Sequence, residues 1–370
     1  MNSFVKKLAS AGMAVVMTAA VAVTPTFAAI GGNLLSSGVK AAETASRVAQ
    51  ANNFSSRKAD GYWSSKFSQN GQTAYMLIVD AIKNGKTSVN IPSVNQNERA
   101  KFWNTINWEH PELFYAKNFG TKSSTKDNVT IYTEHWSLDS NWQSEKSAVE
   151  QAANKFLANA PKSGSDYDKE LYVHDKLANE TTYQLGKNNI YYSLVQKQGN
   201  CMGYSYAMKY LLNKLGVTCR TVVGKGINPE TNGQEDHMWN VVTLNGKEYL
   251  TDACWDSTTK ISKTLPHYYF NLTKDEMNRD HIPDVPSEEN NCTNSDQNYY
   301  KKNGMYYSSV ADAEKAIKNN LKKGQEIAVM LPSQSDAEKV SNDFMSGKIF
   351  KTGSFSADKV VNQVAILKLN

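Results

Sequence analysis

Cys201, His237 and Asp252 are the residue types that thiol acyl transfer needs. That chemistry takes a sulfur nucleophile, an imidazole to hold and move its proton, and a carboxylate to orient the ring. Cys201 opens the stretch CMGYSYAMKYLLNKLG, directly after Gly199-Asn200. A cysteine at a helix start meets the positive end of the helix dipole, which favours negative charge on sulfur. His237 begins the run HMWNVVTL and Asp252 lies in the next run, KEYLTDACWD, with Asn245-Gly246 between them. Asn-Gly is a strong two-residue hairpin signal. With that turn, residue 244 pairs with 247, Trp239 faces Asp252, and His237 faces Cys254. Asp252 then lies diagonal to His237 on the same face, within reach.

Other side chains compete for roles around these three. His174, beside Asp175, is a rival imidazole on a helix that precedes the cysteine. Trp239 and Trp255 read first as core, and Asn240 could steady the imidazole or simply serve its strand. An oxyanion donor is needed, since each is worth about two to three powers of ten in rate. The amides of Cys201 or Met202 are suited to this, with Gln196, Gln198 or Tyr192 as side-chain alternatives that spacing does not separate. His110, His135, His267 and His281 fall in no ligand spacing and Cys-x₂-Cys is absent, so neither a metal nor a cofactor is expected.

The elements that must hold this constellation are legible from periodicity. Met208, Leu211, Leu212 and Leu215 repeat at helical spacing, and Gly216 sits where a helix stop belongs. The period then changes to that of strands over 217–226, 237–246 and 247–256, an antiparallel meander after the cysteine helix. Upstream, Tyr75, Ile78, Val79 and Ile82 mark one helix, and Phe102, Trp103 and Ile106 mark a second. A strand after Pro111 finds its partner in 128–136. Further helices are expected over 145–160 and 168–179. The tail reads helix, strand, helix, strand over 311–370. The expected organisation is a signal peptide over 1–28, a loosely structured leader or marginal helix over 29–60, and an α+β region over 61–140. A catalytic core over 141–285 and a small α/β unit over 299–370 follow, joined by a Pro-, Asn- and Glu-rich linker over 282–298.

The chain has 370 residues, 40% hydrophobic and 21% charged, which is the balance of an ordinary globular protein. Its net charge of +5 becomes +3 when Lys6 and Lys7 of the leader are set aside, and the basic residues are scattered. That argues against nucleic acid as a partner. Lys6-Lys7, the uncharged stretch Leu8–Val23, the break at Thr24-Pro25 and the small residues up to Ala28 read as an export signal. A secreted, extracellular protein is therefore expected, with no membrane span once the signal is removed. Among Cys219, Cys254 and Cys292 at most one disulfide can form if Cys201 stays free, and the pair is open.

The segments GNCMGYSYAMKYLLNKLGVTCRTVVG and DHMWNVVTLNGKEYLTDACWD resemble the transglutaminase-like superfamily in the order Cys, His, Asp. YVHDKLANETTYQ and HPELFYAKN further resemble its secreted bacterial members. The resemblance is strongest over 165–285. It implies an α+β fold related to papain-type thiol proteases, with a cysteine-bearing helix packed on an antiparallel sheet. It also implies Cys201 as nucleophile, His237 as general base and acid, and Asp252 as its orienter. Met202 stands where a charged residue is common, and Cys254 where threonine is common. The implied activity acts on peptide or glutamine carboxamide groups through a thioester, with crosslinking and hydrolysis both open. The implied partner is a protein or peptide, a cell-wall peptide included. The alternative is a wall- or protein-binding module on the same scaffold without turnover.

Overall fold

The computed structural model describes residues 28–227, 232–258 and 265–370. The export signal and part of the loop over 228–233 lie outside the described residues, apart from Ala28 and residues 232–233. Among the described residues no helix is long and apolar enough to cross a membrane. Contacts divide the chain into two units: residues up to Thr105 with Ala116–Leu138, and Ile106–Tyr115 with Asp139–Asn370.

The first unit holds helix α1 (Ala28–Asn52), helix α2 (Gln69–Lys83), strand β1 (Ser88–Ile91), most of helix α3 (Gln96–Glu109), and strands β2 (Ala116–Lys126) and β3 (Val129–Leu138). Ser68 caps α2 by accepting the Gly71 amide, and the predicted stripe of Tyr75, Ile78, Val79 and Ile82 is its buried face. The strands form one antiparallel sheet in the order β1-β3-β2.

In the second unit, helices α4 (Trp142–Phe156) and α5 (Asp166–Glu180) precede the short parallel pair β4 (Thr182–Tyr183) and β5 (Gln198–Gly199). Helix α6 (Cys201–Lys214) follows at once. Asn200 caps it, and Gly216, at φ +79°, turns the chain out of it. Strands β6 (Cys219–Ile227), β7 (Gln234–Leu244) and β8 (Lys247–Thr251) then form the meander. Asn245 and Gly246 both have positive φ, at 51° and 78°, as the tight hairpin requires. The predicted register holds, with Leu244 opposite Lys247 and Asn240 opposite Thr251.

Two expectations need correction. The run 247–256 is not one strand: pairing stops at Thr251, and Ala253–Thr258 form helix α7. His237 therefore does not face Cys254 across a ladder, and its partner across β6 is Gly224. The segment 282–298 is not a free linker. After the short helix α8 (Lys274–Met277), strand β9 (His281–Pro283) closes the sheet in the order β8-β7-β6-β9. Cys292 beyond it is fully buried.

Helix α9 (Tyr299–Lys302) leads to α10 (Val310–Asn320), β10 (Gln325–Met330), α11 (Gln334–Met345), β11 (Phe355–Ala357) and β12 (Val364–Leu369). The last three strands form their own antiparallel sheet, β10-β12-β11. One apolar cluster joins Val222, Trp239 and Leu250 of the larger sheet to Met330, Val364 and Ile366 of this one.

Candidate active site

The site is assembled where the mouth of α6 meets the β7 end that carries His237. The Asn200 side chain accepts the Gly203 amide at 3.1 Å and its carbonyl accepts the Tyr204 amide at 3.0 Å. The cap thus uses the later amides of the first turn and leaves those of Cys201 and Met202 at the helix mouth. Gly203 is needed because a Cβ there would sit 2.6 Å from Ser193 Oγ and 2.7 Å from the Lys187 carbonyl oxygen. Ser205 Oγ donates to the Met238 carbonyl at 2.8 Å, and Asn240 Nδ2 donates to the Ser205 carbonyl at 3.0 Å. Two clips thereby fix the helix against β7. Asn240 serves this clip rather than the imidazole.

Cys201 is half-buried, while His237 and Asp252 are buried. His237 Nε2 donates to Asp252 Oδ2 at 2.6 Å. The Cys201 side chain acts on the same ring and favours its protonated form. Since Nε2 belongs to Asp252, Nδ1 is the nitrogen left for sulfur. Burial pulls the His237 pKa down, and the Asp252 carboxylate, with a smaller push from Cys201, outweighs it, so the net shift is upward.

Asp252 lies just past β8 and caps α7. Its Oδ1 accepts the amides of Cys254 at 2.8 Å and Trp255 at 3.1 Å. Burial opposes its charge, but His237 and His281 hold the carboxyl well below the usual carboxylate range. Trp255 flanks the His237 ring, with centroids 5.1 Å apart. Gly226 makes room for this arrangement, since a Cβ there would lie 2.7 Å from the Trp255 ring and 3.4 Å from His237 Cβ.

The other sequence candidates fall elsewhere. His174 is fully buried on α5, where Nδ1 donates to Asp175 at 3.0 Å and Nε2 to Asp256 at 3.1 Å. It ties α5 to α7. Burial disfavours its charge, but the two carboxylates lift it to about 10. Tyr192 carries the Lys187 ammonium over its ring at 4.4 Å, Gln196 accepts from Lys187 at 3.5 Å, and Gln198 pairs with Thr182 in β5. All four cysteines are free thiols. Cys254 is buried in α7, and its thiol is pushed well up by burial first and then by the Asp252 carboxylate.

Two features escaped the sequence reading. The first is His281, whose Nε2 lies 3.2 Å from Asp252 Oδ2. Its signal was the Gly224-Lys225-Gly226 alternation in β6, because strand glycines mark close approach of another backbone. A Cβ at Gly224 would come within 2.1 Å of the Ile282 carbonyl oxygen. The second is the wall over Tyr183–Lys187, fixed by Gln184 donating to the Gly199 carbonyl at 3.0 Å and Asn200 to the Lys187 carbonyl at 2.9 Å. It exposes Leu185 by 78% beside the helix mouth. His174, Asp175 and His267, and likewise His237, Asp252 and His281, converge within 4.8 Å. In both groups ring nitrogens are spent on carboxylates, which satisfies the rings as hydrogen-bond networks.

The profile of the transglutaminase-like superfamily matches residues 151–252. Kyphoscoliosis peptidase of Homo sapiens is 34% identical over 97 residues, which cover 23% of this chain and 15% of that protein. The Mus musculus kyphoscoliosis peptidase matches to the same extent. The shared stretch is thus a small part of these curated relatives. A solved structure described as a TGase aligns over 48% of this chain and 52% of its own, with 16% identity and a TM-score of 0.26.

Proposed function

With residues 151–252 forming a transglutaminase-like core, we propose that this chain is an exported thiol acyl-transfer enzyme acting on peptide or glutamine carboxamide groups. The observation that carries the reading is a buried imidazole bonded at 2.6 Å to a buried carboxylate, on the strand against which the helix opened by Cys201 is clipped. The Cys201 sulfur attacks the carbonyl carbon, and a C–S bond forms while the carbonyl oxygen takes up negative charge. The Cys201 and Met202 amides are the donors available for that charge. His237 gives its proton to the departing nitrogen, the C–N bond breaks, and ammonia or an amine leaves a thioester. Water or a second amine then attacks, His237 accepts its proton, the C–S bond breaks, and the starting pair of Cys201 thiolate and His237 imidazolium is restored. Asp252 keeps Nε2 protonated throughout and aims Nδ1 at sulfur. The curated relatives carry the name peptidase, which favours water as the acceptor.

The test is incubation of the protein with a glutamine-bearing peptide, with and without a primary amine, followed by mass spectrometry. Cleavage or deamidation is expected without amine, or amine incorporation with it, and either must vanish in Cys201→Ala. Peptide that is bound but unchanged under all conditions overturns the enzyme reading in favour of a binding module.

A further inference from the structure

A second histidine stands behind Asp252. His281 begins β9, pairs with Gly226 across the sheet, and is fully buried. Its Nε2 lies 3.2 Å from Asp252 Oδ2, the same oxygen that takes His237 Nε2 at 2.6 Å. Its Nδ1 lies 2.6 Å from Asp280 Oδ1, and Asp280 Oδ2 accepts the Tyr269 hydroxyl at 2.7 Å. Trp239 and Trp255 pack against the ring, at centroid distances of 4.9 and 4.3 Å. A histidine with a carboxylate on each nitrogen donates from both, which only the imidazolium can do. Burial opposes that charge, and Asp252 and Asp280 together lift the ring to about 9.

We infer that His281 is a positioning residue for the Cys201–His237 pair: it holds Asp252 from behind and places a fixed positive charge one carboxylate away from His237. The inference rests on the thiol acyl-transfer reading above. The charged and titratable groups facing His281 are Asp252, Asp280, His237, Tyr269 and Glu289, the last of which accepts Trp239 Nε1 at 2.8 Å. The rings of His237 and His281 lie 5.2 Å apart. A positive His281 therefore repels a second proton charge on His237 and limits how firmly Asp252 holds it. Without that counterweight, His237 keeps its proton to higher pH.

The readout is the rate of Cys201 alkylation by iodoacetamide against pH, which needs no substrate. The wild-type profile is expected to show a low step, where the ion pair forms, and a high step, where His237 loses its proton. In His281→Gln, which keeps a donor but no charge, the high step is expected to move up by about one pH unit. A high step that stays in place or moves down overturns the role of His281 alone. A wild-type profile with the single step of an ordinary thiol overturns the Cys201–His237 pairing and this inference with it. Nitrogen NMR of the histidine-labelled wild-type protein decides the matter if His281→Gln does not fold. His281 is expected to be protonated on both ring nitrogens at neutral pH, and a neutral ring there contradicts the inference.

Discussion

Asp252 accepts four hydrogen bonds, two from backbone amides on Oδ1 and two from imidazoles on Oδ2. An asparagine in its place keeps the shape but offers one acceptor where the site uses two, and it turns an amide toward one set of donors. Asp252→Asn is therefore expected to lower kcat by about three to four powers of ten while KM moves little, because the imidazole loses its tautomer and aim. Steady-state kinetics on a responsive peptide checks this, and equal falls in kcat and affinity would point to general disruption. The raised His237 pKa fixes the sign of the pH dependence. Activity that needs imidazolium to protonate the leaving nitrogen holds above the step at which the ion pair forms and is lost as pH rises through the folded His237 value. That alkaline limb is expected above the ordinary histidine value of 6.5. A kcat/KM profile places it directly. The residue types and order of Cys201, His237 and Asp252 were readable because chemistry restricts them to few choices. His281 was not readable from its own spacing: the glycines of β6 mark a close neighbour there, but not which segment supplies it.

Elements explain why the site holds its shape. Helix α5 offers Glu170, fully buried, whose carboxylate accepts from Thr251 Oγ1 at 3.0 Å and Asn271 Nδ2 at 2.9 Å. Burial lifts its pKa from 4.5 to about 7. The folded chain thus holds a proton that the unfolded chain gives up at 4.5, so this group's contribution is lost as pH rises from 4.5 to about 7 and is constant above. The loss amounts to about 3 kcal/mol. Glu170→Gln removes the titration, and Asn271 can turn its amide to meet it. Melting curves are expected to show a variant that gains on the wild type across that interval, whereas parallel curves would contradict the assignment. Gly226 is the second test. In Gly226→Ala the added methyl meets Trp255 and His237, so activity is expected to fall at least tenfold with the fold retained by circular dichroism. The hairpin at Asn245-Gly246 and the α6 stop at Gly216 were legible because each rests on a local conformational rule. The end of β8 was not. Asp252 capping α7 depends on its own side chain and on β-rich residues accepting a helical turn, and propensity yields to such contacts.

At the scale of the molecule, the C-terminal strands share an apolar cluster with the sheet that bears the site. Trp239, two residues from His237, lies in the same cluster as Met330, Val364 and Ile366. Ile366→Ala is expected to cost about 2 to 4 kcal/mol, and the loss should appear as a lower melting point reported by Trp239 fluorescence. If Trp239 melts unchanged while the C-terminal strands loosen, the shared cluster carries no cooperativity. Composition hid this coupling. The Pro-, Asn- and Glu-rich stretch before the tail reads as a spacer, yet it supplies β9, the buried Cys292, and Glu289, which accepts from Trp239. Polar residues that cap and pair inside a fold have the composition of a linker.

The central claim is that sulfur at position 201 becomes acylated with the help of the ring at 237. The direct measurement is to mix protein and peptide substrate, quench in acid within the first turnover, digest, and map the adduct by mass spectrometry. An acyl group is expected on Cys201, absent in Cys201→Ala and strongly reduced in His237→Ala. Turnover that persists in Cys201→Ala, or an adduct equally abundant in His237→Ala, would contradict it.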